Sequence, residues 1–367
     1  MTDPRHQKLA QVLINYSLGI QPGDKLIITA PAAAAPLVKE AYREAIRAGA
    51  HVMTRITIDG LAEIRFRESS DEQLRFVLEP ERQEIEYFDA MLRIMADENT
   101  KSLTNVDPNK LAIAQQARTD IMRRYLERAA TGELRWCLTL YPTHAYAQDA
   151  EMSLEEYENF VFNAGLIHHD NPSESWQQIS KKQQEIVKLL ESHDEIHIVG
   201  NDIDLRYRVG GRKWISADGK HNFPDGEVFT GPIEDSVNGH IRFSYPAVYN
   251  GREVENVRLT FQDGKVVEAT ASRGEDLLNS MLNVDEGARR VGEVAFGLNY
   301  DIQKFTRNIL FDEKIGGTMH MALGRAYPET GGTNASAIHW DMIADLTDAK
   351  VYADGELIYE NRKFKIW

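Results

Sequence analysis

Histidines and carboxylates gather in residues 220–345, in four short stretches beside glycines and apolar residues. In Phe223-Pro224-Asp225-Gly226-Glu227-Val228-Phe229, Glu227 stands between turn residues and an apolar pair, so it begins a strand next to a tight loop. Glu293 is flanked by Val291, Val294, Ala295 and Phe296. A carboxylate inside an apolar strand is costly to bury unpaired, so it calls for a metal or a cation, and Arg289 and Arg290 are the nearby candidates for a salt bridge. His320 lies between Met319 and Met321-Ala322-Leu323, just after Gly316-Gly317, where the missing side chains let backbone approach a ligand closely. The competing reading of His320 is a satisfied core histidine. In His339-Trp340-Asp341, strand alternation puts the imidazole and the carboxylate on one face, where they can chelate one divalent ion or where Asp341 can orient the histidine.

Taken together, the stretches supply three carboxylates (Glu227, Glu293, Asp341) and two imidazoles (His320, His339), with Glu313 as an optional sixth group. One zinc needs three protein ligands and a water, whereas five or six ligands fit two metals sharing a carboxylate and a water. The single-zinc helix motif HExxH is absent. Cys137 is the sole cysteine, which excludes both a thiolate zinc site and an intrachain disulfide, and its run Leu134–Tyr141 reads as a buried strand.

These residues need a scaffold, and the chain divides into two textures. The first half alternates strands with helices: helix His6–Leu18, strand Lys25–Ala30, helix Pro36–Ala48, strand His51–Ile58, helices Ser70–Leu78 and Arg82–Ala90, and strand Met91–Met95. Asp107 and Pro108 start a long helix running to Ala130, followed by strand Leu134–Tyr141, helix Ser153–Phe162 with a Ser153/Glu156 capping box, and helix Ser173–His193. This βαβ rhythm predicts an α/β N-terminal domain with an open, mainly parallel sheet over residues 1–193. It carries no GxGxxG or GxxxxGK[ST], so a structural or substrate-covering role fits it better than a nucleotide site. From Glu195 strands are short and turns such as Asp218-Gly219, Asp225-Gly226, Asn250-Gly251 and Asp263-Gly264 recur. Residues 194–367 therefore read as an α+β, hairpin-rich, metal-binding C-terminal domain, with one helix over Asp276–Leu282 and a closing hairpin turned at Asp354-Gly355.

Composition narrows the function classes. The 367 residues carry a formal charge of −15 and are 42% hydrophobic, enough for a sizeable core in each of two domains. So acidic a chain is a poor ligand for nucleic acid or an anionic membrane. The N-terminus shows no apolar signal core and no stretch approaches a membrane span, so the expected location is cytoplasmic.

The motifs GEVFTGPIEDSVNG, GEVAFGLN, HMALGRAY and NASAIHWDMIADL, with LAQVLINYSLGIQPGDKLIITA and AIRAGAHV near the start, resemble the thermophilic aminopeptidase family of dinuclear metallopeptidases, typified by aminopeptidases T and S. The resemblance spans nearly the whole chain. It implies Glu227, Glu293, His320, His339 and Asp341 as metal ligands, two divalent ions (zinc or cobalt, with manganese an alternative), removal of N-terminal residues from peptides, and a homodimer. It also matches Tyr327 to a site tyrosine and Glu313 to an acidic residue upstream of the histidine. The chain departs from longer members in a shorter stretch between Tyr327 and His339, and in placing Glu313 seven residues before His320. On this reading Glu313 moves the proton and Tyr327 donates to the oxyanion. The rivals are an iron-dependent ring-cleaving dioxygenase of the dihydroxypyridine type on a related scaffold, which would need only two histidines and one carboxylate, and a non-catalytic relative. Glu227 and Glu293 favour the peptidase.

Overall fold

The structure is a computed structural model describing residues 3–249 and 251–367, so the Asn250–Gly251 turn lies partly outside the described residues. The chain forms two compact units. One runs through Ser173 and takes in Gly219–Pro224; the other comprises Glu174–Asp218 and Asp225–Trp367.

The first unit holds a five-stranded sheet in the order His51–Thr57, Lys25–Pro31, Ala90–Met95, Arg135–Leu140, Asn222–Phe223, with apolar runs forming its buried central strands. Every pairing is parallel. Leu26, Ile27, Ile28, Leu92, Ile94 and Cys137 fill its core. The fifth strand comes from the second half of the sequence, where Asn222–Phe223 is too short for periodicity to reveal. The outermost strand, His51–Thr57, is exposed at every position except Val52, as suits an edge rich in Thr and Arg. Pro108 and its Asp107 cap start a helix as expected, but the long helix is two, Pro108–Ala117 and Thr119–Ala130, meeting at Arg118. Arg118 leaves the helical region there and its guanidinium binds Glu81 and the Ala114 carbonyl. The Ser153/Glu156 capping box forms over Leu154–Ala164.

The helix Pro172–Glu191 sends Ile186, Val187 and Leu190 into the core of the second unit, so the division falls at Ser173 rather than near residue 193. That unit holds an eight-stranded antiparallel sheet, a two-stranded hairpin and a five-stranded antiparallel sheet. The five-stranded sheet runs in the order His339–Asp345, Thr318–Gly324, Val291–Gly297, Glu227–Thr230, Ile215–Ala217. The closing segment pairs Lys350–Ala353 with Glu356–Glu360 around Asp354-Gly355, and Lys363–Phe364 adds a third strand. Among the described residues no helix is long and apolar enough to cross a membrane.

Candidate metal centre

The register of the five-stranded sheet assembles the site. Ala322 is paired with both Glu293 and Asp341, His320 lies opposite Ala295, and Gly297 lies opposite Glu227. Paired residues share a face, as do residues two apart on one strand. Glu227, Glu293, His320, His339 and Asp341 therefore point from one face, with only Ala295, Gly297 and Ala322 between them to leave room. The opposite face carries Val228, Val294, Phe296, Met319, Met321, Trp340 and Met342, which form the core. The apolar residues that flank the acids and histidines in sequence thus drive the sheet to bury one side, and alternation delivers the polar set to the other.

Both histidine rings have a fixed orientation. His320 Nδ1 lies 3.0 Å from the Glu313 carbonyl, and His339 Nδ1 lies 2.7 Å from the Arg325 carbonyl. A carbonyl only accepts, so each Nδ1 donates and each Nε2 is turned toward the carboxylates. His320 Nε2 lies 3.1 Å from Glu293 Oε1 and 3.6 Å from Glu227 Oε2. His339 Nε2 lies 3.6 Å from Glu293 Oε2 and 3.7 Å from Asp341 Oδ1. Glu293 thus offers one oxygen to each histidine. Among the described residues neither nearby arginine is paired with it: Arg289 bonds Asn283 and the Val266 carbonyl, and Arg290 the Glu234 carbonyl.

These separations suit a metal. Two ligands at zinc distance in tetrahedral geometry stand ~3.4 Å apart. Among the described residues two sets of donors lie within 4.8 Å of one another, Glu227/Glu313/His320 and Glu293/His320/Asp341. His339 belongs to neither set, although its Nε2 faces Glu293 and Asp341. His320 is shared, yet with Nδ1 committed it has one nitrogen to give. The buried Glu227 Oε2 has no hydrogen-bond partner. Leaving such an atom unmatched is costly, and a cation at that point satisfies it.

The electrostatics carry the same demand for positive charge. Burial pushes the Glu227 carboxyl well above its usual range, more than Lys314 and His320 pull it down. Burial opposes the His320 imidazolium, but the Glu293 hydrogen bond and the charges of Glu227, Glu293 and Asp341 win and raise it to about 10. Burial, aided by Glu313 and Glu293 against the two histidines, lifts Asp341 to about 6.

Residues 2–364 match the profile of the family described as thermophilic metalloprotease (M29). The chain belongs to that family. This M29 protein is 31% identical to Aminopeptidase 2 of Geobacillus stearothermophilus, over 95% of this chain and 94% of that one. Its fold is similar to that of wild-type AmpT from Thermus thermophilus, with a TM-score of 0.86 and 26% identity over 99% of each chain. The 2,5-dihydroxypyridine dioxygenase of Pseudomonas putida KT2440 shares the fold at 13% identity, with a TM-score of 0.65 over 98% of this chain and 96% of that one.

The remaining expected residues of the M29 site flank the sheet. Glu313 follows the short helix Ile309–Asp312, which Asn308 caps, and Asp312 anchors the turn by accepting from Thr306 N at 2.7 Å and Thr306 Oγ1 at 2.8 Å. Tyr327 packs its ring 4.9 Å from His339 and 5.8 Å from Phe229. The residue as a whole is 37% exposed. Burial at its hydroxyl end, reinforced by Glu293 and Asp341, holds the phenol proton on more firmly than usual. The expectation that Gly316-Gly317 opens a way for ligand is corrected. A side chain at Gly316 would meet Tyr300, and Gly317, at φ +89°, lies against Arg362, so protein fills that space. Sequence reasoning passed over Lys314. Its Nζ bonds Glu313 Oε1 and lies 3.7 Å from Glu227 Oε1 and 3.9 Å from Asp225 Oδ1. A lysine in Asp-Glu-Lys reads as a solvated charge; only its place before the apolar run to His320 hinted at burial.

Proposed function

We propose that the chain is a dinuclear-metal aminopeptidase that removes N-terminal residues from peptides. Membership of a metalloprotease family and relatives that are themselves aminopeptidases support the activity. The observation that carries the site assignment is the division of Glu293 between two histidines that both present Nε2. On this reading Glu227, Glu293 and His320 hold one ion, and Glu293, His339 and Asp341 hold the other. A count of charge supports two ions. Asp225, Glu227, Glu293, Glu313 and Asp341 bring five negative charges, Lys314 offsets one, and two divalent ions offset the remaining four. Nitrogen and carboxylate donors suit zinc, cobalt or manganese.

Bound ions of this kind supply Lewis acidity and lower the pKa of a water toward neutrality. The chain's own residues supply the rest. Glu313 takes the proton released when water attacks the scissile carbonyl and delivers it to the leaving amine. Tyr327 keeps its proton at neutral pH and donates it in a hydrogen bond to the developing oxyanion. The free α-amine of the peptide is a cation entering a site rich in carboxylates, which makes the enzyme an exopeptidase. The acidic chain, with one cysteine, suits a cytoplasmic enzyme without a nucleic-acid partner, and the family resemblance suits a homodimer. The dioxygenase likeness concerns fold alone; an iron triad would leave Glu227 and Glu293 buried without purpose.

The test is to strip the protein of metal, reload it with zinc, cobalt, manganese or iron(II), and assay a panel of free and N-acetylated aminoacyl substrates. Hydrolysis of the free amines only, with two ions per chain by elemental analysis, is expected. Oxygen-dependent opening of dihydroxypyridine rings with iron(II), without aminoacyl hydrolysis, would overturn the reading.

A further inference from the structure

We infer that Lys314 is a positioning residue whose ammonium pins Glu313 as the proton carrier and keeps that carboxylate from becoming a further metal ligand. The inference rests on the aminopeptidase reading above and adds a residue to it.

The side chain of Lys314 is wholly buried, at 0% exposure. An ammonium without solvent is sustained only by close pairing. Its backbone is fixed as well, since Lys314 N donates to the Phe311 carbonyl at 3.0 Å and the Lys314 carbonyl accepts from Asn299 N at 3.0 Å. The main chain is thus held, and the buried ammonium sits among three carboxylates. Its closest partner there is Glu313 Oε1, with Glu227 Oε1 and Asp225 Oδ1 farther off. Glu227 is thereby split: Oε1 faces the ammonium, while Oε2 faces His320 Nε2 and has no hydrogen bond.

Glu313 is the group whose role this decides. It lies close enough to Glu227 and His320 to share an ion with them. Two constraints turn it away from that task. One of its oxygens is held by Lys314, and its own carbonyl accepts from His320 Nδ1, tying backbone and side chain to opposite neighbours. A carboxylate held by an ammonium is kept in one rotamer, with its oxygen aimed in one direction, as a proton acceptor requires. The other half of the centre has no such cation: among the described residues, Asp341 and Glu293 form ion pairs with histidines alone.

A double-mutant cycle with Lys314→Met and Glu313→Gln tests this. If Lys314 acts through Glu313, Lys314→Met lowers kcat by about a hundredfold with little change in KM. It also tightens divalent-ion binding by roughly tenfold or more, because a like charge is gone and Glu313 is freed to coordinate. Both effects vanish when Glu313→Gln is already present. A purely structural lysine would instead loosen the ions and give losses that add across the cycle, and either result overturns the inference. Should Lys314→Met fail to fold, Glu313→Gln alone decides: it keeps both ions if Glu313 is the proton carrier, and loss of an ion overturns the proposal. Wild-type protein that takes up no divalent ion would refute the aminopeptidase reading itself.

Discussion

Ala322 sits at the centre of the site face, paired with Glu293 on one side and Asp341 on the other. Changing it to valine tests the register argument directly. Directly opposed Cβ atoms in a sheet are about 5 Å apart, and a methyl reaches about 1.5 Å beyond its Cβ. The new methyls of Ala322→Val would enter the space where the two carboxylates converge and displace them by on the order of 1 Å. Misplacement of that size lowers a rate about a hundredfold, or about 2.7 kcal/mol of transition-state stabilisation. The fold should survive, since valine favours strands and overpacking typically removes ~1–3 kcal/mol. The matching control is one residue away. Met321 points to the core, so Met321→Leu should change stability by less than about 1.5 kcal/mol and leave the metals alone. Elemental analysis, kcat/KM and thermal unfolding read out both variants. A folded Ala322→Val protein with two ions and a rate within about threefold of wild type would refute the shared face.

Asp341→Ala should lose metal and activity, while it melts at or above the temperature of metal-free wild-type protein, because one carboxylate has left a crowded acidic cluster. An unchanged metal content would remove Asp341 from the ligand set. Metal uptake should release protons, since without an ion His320 holds its proton to about 10 and Asp341 to about 6. The proton on His320 competes with metal throughout pH 6 to 8 and that on Asp341 only near pH 6, so affinity strengthens across this window by about tenfold per unit for the His320 proton. Titration calorimetry in buffers of different ionisation enthalpy checks this, and buffer-independent heats would contradict it. Gly226→Ala should destabilise the protein by about 1–3 kcal/mol, because φ there is +123° and the new Cβ would stand 2.9 Å from Asn299 Cβ, next to Glu227. A wild-type melting temperature would count against that strain.

The sequence made legible whatever depends on neighbours along the chain. The alternation in His339-Trp340-Asp341 predicted a shared face, and the apolar neighbours of Glu293 and His320 marked buried strands. Capping signals at Asp107 and Ser153 predicted real helix starts. What stayed hidden depends on contacts between distant segments. Nothing local shows that Asn222–Phe223 joins a sheet begun at Lys25, or that a helix break falls at Arg118, where Glu81 engages the guanidinium. Gly316 and Gly317 looked like room for a ligand because the sequence does not show Tyr300 and Arg362 lying against them. Lys314 is the same kind of omission: its buried ammonium faces Asp225 and Glu227, which lie far away in sequence.

The dioxygenase likeness shows why fold alone leaves the chemistry open, since the scaffold can be shared at 13% identity. The choice lies in which positions of one sheet face carry charge. His320, His339 and Asp341 come from two adjacent strands and would serve a single ion. Glu293 and Glu227 come from the next two strands, and they widen that patch until Glu293 can face both histidines at once. The wider patch brings more buried negative charge than histidines can offset, and Lys314 enters on that side, beside Glu227. A lysine placed there relieves only one charge, so the site still calls for divalent cations, as the two-ion centre proposed above would supply, with the carboxylate it holds proposed to move the proton.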